Sequence, residues 1–231
     1  MVSTEESEVP SDLKSRMQAT YDTIAVAYND ALADENDQIR RKYTSQLIDL
    51  LQQSSIKEAS ILELGCGAGV PGTSTLLESQ NPEIHVIGND FSSGQLDLAH
   101  QRLQSFEDAG QLELRQGDMM ALDFPPASFD AVVGFYSIIH LPRAEQTELL
   151  GRIVKWLKPG GYLLANFSKE EFSNRVNTQW LGQKKGWAYW SGWGEEGSAK
   201  MVEEAGLTIV VREISDCEND AMFLWIIAKK L

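Results

Sequence analysis

The stretch Ile61-Leu62-Glu63-Leu64-Gly65-Cys66-Gly67-Ala68-Gly69-Val70-Pro71-Gly72 constrains this chain more than any other. The run Ala59 to Leu64 that leads into it shows no polar–apolar alternation. That suits a strand buried on both faces, as in a parallel sheet. The glycines then permit a sharp reversal and leave backbone N–H groups uncovered, so that a ligand can approach the main chain closely. Pro71 fits the first turn of a following helix, where a missing N–H costs nothing. The positive end of that helix would face whatever sits on the loop. Strand, glycine turn and helix in this order point to a site for a nucleotide-type ligand.

The rest of the chain repeats the alternation of strand and helix. Met17, Tyr21, Ile24 and Tyr28 give a first helix from about Leu13, and Ile39, Tyr43, Leu47, Leu50 and Leu51 a second. The acidic residues Asp30 to Asp37 between them read as a loop or hinge. After the central strand, Asn81-Pro82 ends a helix and opens a strand over Ile84 to Gly88, closed by Asn89-Asp90-Phe91. Ser92 with Gln95 reads as a capping box for a helix that buries Leu96, Ala99, Leu103 and Phe106. Short strands follow at 112–114 and 129–135, then a helix after Pro142, the turn Lys158-Pro159-Gly160-Gly161 and a strand at 162–166. A helix near Ser198 to Ala205 and two strands, Leu207 to Ile214 and Ala221 to Ala228, complete the chain. The last two strands share a short polar link, Ser215 to Asp220, and should form a hairpin. The expectation is an α/β fold: a doubly wound, mostly parallel seven-stranded sheet, with helices on both faces and an antiparallel last strand. Right-handed crossovers would put the ligand at the carboxyl ends of the strands, beside the first.

Composition narrows the partners. The net charge is −14, and residues 1–38 hold nine acids against Lys14 and Arg16, half of that total. Such a chain is repelled by nucleic acid and by anionic membrane, so neither is expected as a partner. No run approaches the ~20 apolar residues of a membrane span, and no signal-peptide core is visible. Two cysteines make neither a disulfide framework nor a metal cluster, and His85, His100 and His140 lack metal-ligand spacing. A cytoplasmic protein without a metal is expected. Residues 1–12 read as a disordered acidic tail and 13–231 as one domain.

The glycines fit two frames. Gly67-x-Gly69-x-x-Gly72 matches the dinucleotide fingerprint, a weak signal alone. Asp90 lies 21 positions after Gly69 at the end of the second strand. An acid there accepts hydrogen bonds from a ribose diol, whichever nucleotide carries it. None of the six tyrosines has a lysine four residues on, so the catalytic pair of a short-chain dehydrogenase is missing. The loop also has no nearby Lys or Arg to accompany a pyrophosphate.

The second frame, Glu63-x-Gly65-x-Gly67-x-Gly69, resembles motif I of the class I S-adenosylmethionine-dependent methyltransferases. Gly117-Asp118-Met119, Phe129-Asp130 and Leu157-Lys158-Pro159-Gly160-Gly161 resemble motifs II and III in order and spacing. Tyr21-Asp22-x-x-Ala25-x-x-Tyr28, Ser137-Ile138-Ile139-His140-Leu141 and Phe223-Leu224-Trp225 are similar to segments of the type 11 small-molecule group within that class. The resemblance implies a Rossmann-like fold and an enzyme that methylates O, S or N of a small molecule. S-adenosylmethionine would be its cofactor and S-adenosylhomocysteine its product. Glu63 suits the positive charge of that cofactor, and Gly65, Cys66 and Gly67 would line its methionine portion. Asp90 would bind the ribose, Phe91 would flank the adenine, and Asp118 and Met119 would meet its edge. The backbone near Phe135 and Tyr136 would hold the amino group, while Tyr21 and Tyr28, in N-terminal helices spanning 13–55, close over the cofactor.

Residues 168–197 depart from the group's pattern. They hold Trp180, Trp187, Trp190 and Trp193 with Tyr189, interrupted by glycines. One reading is a substrate-covering insertion in which Trp187, Tyr189, Trp190 and Trp193 wall the acceptor site; others are a packed connection or a dimer contact. His140 is the best-placed residue for a base or an orienting group, although a histidine after a strand is as often structural. Two rival functions remain at this point: a nucleotide-dependent oxidoreductase and a non-catalytic cofactor-binding protein. A monomer or a homodimer is expected.

Overall fold

The computed structural model describes residues 9–32, 37–215 and 222–231. Most of the expected acidic tail, the middle of the Asp30–Asp37 segment and the link after Ser215 lie outside these residues. Two helices open the chain, α1 (Leu13–Leu32) and α2 (Gln38–Gln53). Then come β1 (Glu58–Leu64), α3 (Gly72–Leu77), β2 (Glu83–Asp90), α4 (Ser93–Asp108), β3 (Leu112–Gln116) and β4 (Phe129–Gly134). The second half comprises α5 (Arg143–Trp156), β5 (Leu157–Ser168), β6 (Glu171–Asn177), β7 (Ala188–Trp193), α6 (Gly194–Glu204), β8 (Leu207–Ile214) and β9 (Phe223–Lys230).

Seven strands form one sheet in the order β3-β2-β1-β4-β5-β9-β8. The first five are parallel, and β9 runs antiparallel to both β5 and β8. The order reverses between β1 and β4, which opens a crevice at their carboxyl ends. β4 is buried along its whole length because helices cover both its faces, which is why its sequence is nearly all apolar. Two apolar clusters flank the sheet. One gathers Leu62, Val132, Leu163 and Ile226 under α5 and α6; the other gathers Ile61, Val133, Leu164 and Trp225 under α2 and α3.

The structure departs from expectation at residues 168–197. They contain a separate two-stranded antiparallel sheet, β6 with β7, which the sequence does not announce. β6 is polar except for Phe172 and Val176, so it shows no apolar alternation. A third apolar cluster joins this hairpin to α1 through Leu13, Met17, Tyr21, Trp187, Ala188 and Tyr189. Ser92 caps α4 as expected by accepting from the N–H of Gln95 at 3.2 Å. The Gln95 side chain does not complete a capping box, since its Oε1 accepts from Asn29 Nδ2 at 2.8 Å. Asp22 of α1 serves that helix end too, accepting from the Ser92 hydroxyl and the N–H of Gly94.

Candidate functional site

A cleft of about 760 Å³, counting its open mouth, lies at the carboxyl ends of β1, β2, β3 and β4. Each strand contributes the residues just past its end: Gly65 and Gly67 after β1, Asp90 and Phe91 from β2, Gly117, Asp118 and Met119 after β3. Phe135, Tyr136, Ser137, His140 and Leu141 follow β4, and Leu13, Lys14, Met17, Tyr21 and Tyr28 come from α1. Gly65 and Gly67 hold positive φ of 72° and 56°, in the left-handed region where glycine carries no steric penalty. A Cβ on Gly65 would stand 2.4 Å from Ser137 Cβ, so a side chain there is excluded by β4's exit as well.

Asp90 is the buried acid of this cleft. Its Oδ2 accepts from the N–H of Gly67 at 2.9 Å and its Oδ1 from the N–H of Ser92 at 2.9 Å. Each oxygen keeps a further lone pair for a ligand. Burial raises its pKa to about 6 against the pull of those two N–H groups. Asp118 accepts from the N–H of Met120 and pairs with Lys14 Nζ at 2.7 Å, which clips the start of α1 across the cleft.

Two other expected residues stand outside the cleft. Glu63 is buried behind the loop, where its Oε2 accepts from the Thr73 hydroxyl at 2.6 Å and its carboxylate faces the start of α3. The α3 N-terminus therefore meets an internal acid rather than a ligand, a correction to both expectations. Burial lifts Glu63 to about pKa 7, opposed by Thr73 and Arg40. The Cys66 side chain turns under the loop toward β2, where a Cβ on Gly88 would approach its sulfur to 3.1 Å. Burial pushes this thiol well above its usual range, and Cys66 is not among the residues that line the cleft.

The tryptophans separate. Trp187 stacks under the Arg16 guanidinium on the outside of α1. Trp193 packs against Arg143 and borders a different groove, with α6. Tyr189 is fully buried and sends its hydroxyl to Asn174 at 2.6 Å. None of these three lines the cleft; they hold β7 in place, as do Gln146 to Ser191 and Arg143 to the Gly192 carbonyl. Trp190 contacts the His140 ring at 5.7 Å and the Trp180 ring at 5.5 Å. Trp180, not singled out above, stands 5.5 Å from the rings of both Tyr21 and Tyr28, which do line the cleft. The insertion is thus a packed strand along β7 and an aromatic cover at Trp180.

His140 lies inside the cleft, with Nε2 2.8 Å from the Tyr21 hydroxyl and Nδ1 2.7 Å from the Tyr189 carbonyl oxygen. Burial lowers its pKa to about 4. Two cleft residues that sequence reasoning passed over carry buried polar atoms with no partner among the described residues, Gln95 Nε2 and Asn89 Oδ1.

A seven-stranded sheet with this order, a glycine turn after β1 and an acid ending β2 define the Rossmann-like fold of the class I S-adenosylmethionine-dependent methyltransferases. Residues 61–161 match the family model described as "Methyltransferase domain". The demethylmenaquinone methyltransferase of Lactococcus lactis is 34% identical over 152 residues, 64% of this chain and 56% of that protein. The chain spans 26% to 60% of the length of three curated relatives of which this is one. Among solved structures, the Burkholderia thailandensis 1,6-didemethyltoxoflavin-N1-methyltransferase, with its substrate and S-adenosylhomocysteine bound, superposes with a TM-score of 0.75. It is 17% identical and is matched over 99% of this chain and 94% of its own. The cyclase SpnF superposes with a TM-score of 0.69 at 17% identity, over 97% of each chain. The fold is therefore common to more than one chemistry.

Proposed function

We propose that this protein transfers a methyl group from S-adenosylmethionine to O, S or N of a small molecule. The observation that carries the reading is Asp90, held by Gly67 and Ser92 at the floor of a glycine-lined cleft, with a further lone pair on each oxygen. Among the described residues lining the cleft, Lys14 is the one Lys or Arg, and it is paired with Asp118 and Glu145. That favours a cationic nucleoside over a pyrophosphate-bearing one.

In this reading Asp90 takes the ribose hydroxyls, Phe91 and Met119 flank the adenine, and the backbone from Gly65 to Gly67 borders the methionine portion. The bound sulfonium supplies an already activated methyl group. The protein's part is alignment and exclusion of water, for which Tyr21, Tyr28 and Trp180 form the cover. Residues 168–197 act as the substrate-covering insertion through Trp180 and Trp190, and the acceptor enters beside His140. The net charge of −14 supports a protein that works away from nucleic acid and anionic membrane, in the cytoplasm, as a monomer or homodimer.

Thermal unfolding with added ligand tests this directly. S-adenosylhomocysteine at ~100 times its Kd should stabilise by ~2.7 kcal/mol, and NAD should not. A shift with NAD alone would reject the reading. Incubating the protein with labelled methyl donor and a metabolite pool should then yield a labelled product.

A further inference from the structure

The His140 ring is gripped from both ends, and the two grips fix where every proton lies. Nδ1 faces the Tyr189 carbonyl oxygen at 2.7 Å. A carbonyl oxygen only accepts, so Nδ1 carries the hydrogen. Burial keeps the imidazole neutral, which leaves Nε2 with a bare lone pair. The Tyr21 hydroxyl, 2.8 Å away, must then donate to Nε2. Its one proton is committed to His140, and what Tyr21 retains for the cleft it lines is an oxygen that accepts. An acceptor molecule in the cleft therefore meets the Tyr21 oxygen, while the Nε2 lone pair is already taken by the Tyr21 proton.

We propose that Tyr21 is the catalytic residue that receives the acceptor's proton while passing its own to His140, and that the acceptor is a hydroxyl on an aromatic ring. This rests on the methyltransferase reading above. The ring contacts of Tyr21 supply the second part of the argument. Trp180 stands 5.5 Å from it, edge-on, and Trp190 stands 5.5 Å from Trp180 and 5.7 Å from His140. Such walls favour a flat apolar acceptor. A neutral His140 offers no charge to hold an anion, so the acceptor enters protonated. Burial holds the Tyr21 hydroxyl well above its ordinary pKa, so Tyr21 loses no proton on its own and acts only by taking one as it gives one up.

The step balances without any oxidant or reductant. A lone pair of the acceptor oxygen forms the bond to the methyl carbon, and the electron pair of the broken carbon–sulfur bond stays on sulfur. As the oxygen gains the methyl it becomes strongly acidic, and its proton moves to the Tyr21 oxygen while the Tyr21 proton moves to Nε2. A weakly basic imidazole suffices for so acidic a donor. The imidazolium, held by the Tyr189 carbonyl, returns its proton to water after the product leaves.

The test uses the full chain, labelled methyl donor, and phenol, 4-chlorophenol and 4-nitrophenol as acceptors. Tyr21→Phe keeps the ring contacts and removes only the hydroxyl. It should lower kcat on phenol by roughly 10²–10⁴-fold. The affinity for S-adenosylhomocysteine should hold within about threefold, since the ring that covers the cofactor is retained. His140→Ala should lose a similar factor, and the double variant no more than either alone, because the two act as one unit. The loss should shrink on 4-nitrophenol, whose more acidic hydroxyl gives up its proton most readily and so depends least on the relay. Undiminished turnover in Tyr21→Phe, multiplicative losses in the double variant, or equal losses on all three phenols would overturn the proposal. So would a wild-type protein that binds S-adenosylhomocysteine but methylates none of them. Failure to bind S-adenosylhomocysteine would instead reject the methyltransferase reading itself.

Discussion

The main-chain N–H of Gly67 donates to Asp90 Oδ2 at 2.9 Å, tying the turn after β1 to the end of β2. The same carboxylate holds the N–H of Ser92, one residue before α4. Asp90 thus shapes the loop, and in the proposed function it also takes the ribose hydroxyls. Asp90→Ala should weaken S-adenosylhomocysteine binding by roughly ten- to a hundredfold, since charge-assisted hydrogen bonds contribute ~1.5–3 kcal/mol. Calorimetric titration of the folded variant measures this, and unchanged affinity would mean that the ribose is held elsewhere.

Glu63 makes stability depend on pH. In the folded protein it keeps its proton up to about pH 7, whereas an ordinary glutamate releases it near 4.5. Between those values the folded state binds the extra proton, so raising the pH withdraws stability, on the order of 3 kcal/mol for a shift of this size. Asp90, raised to about 6, acts in the same direction, and His140, lowered to about 4, in the opposite one. Glu63→Gln removes one contribution alone. The variant should be more stable than wild type at pH 8, with the gap closing below about pH 4.5. Urea unfolding at the two pH values decides it; a gap that is constant with pH would show that Glu63 does not titrate with folding.

Gly65 tests the steric argument for the loop. Its φ of 72° and the 2.4 Å approach of a new Cβ to Ser137 Cβ leave no room for alanine. Gly65→Ala should destabilise by about 2 kcal/mol or more, from left-handed strain plus overpacking. It should also reduce S-adenosylhomocysteine affinity, because relief of the clash displaces the loop or the exit of β4. A thermal melt matching wild type would contradict the packing described.

The tryptophans of the insertion should divide by function as they divide in space. Trp180→Ala removes a ring that touches both Tyr21 and Tyr28, and should raise the acceptor's KM about tenfold, the loss of ~1.4 kcal/mol of binding. Trp193→Ala removes a ring packed on Arg143, outside the cleft, and should leave the acceptor's KM unchanged while lowering the melting temperature. Equal effects on KM would erase the distinction.

Much of this protein was legible in its residues. β1 and its glycine turn, Asp90 at the end of β2, the cap at Ser92 and the antiparallel last strand all follow from local patterns. A strand buried on both faces is apolar along its length, a left-handed turn needs glycine, and a short link can join only antiparallel neighbours. Each rule acts within a few residues, and a sequence displays it directly.

The partners of individual side chains were decided by tertiary structure. Glu63 could face a ligand or the core, and what turns it inward is Thr73 on α3. Tyr189 and Trp190 are neighbours in the chain, yet the pleat sends one to Asn174 and the other to His140, and the register with β6 selects which. Tyr21 and His140 lie 119 positions apart, and their hydrogen bond exists because α1 is held over the strand ends by the third apolar cluster. Local sequence determined which elements of the main sheet form and where its strands leave a cleft, because those follow from backbone conformation and burial. The proton path was settled by long-range packing, because a hydrogen bond needs two groups within about 3 Å, and no spacing along the chain sets that distance.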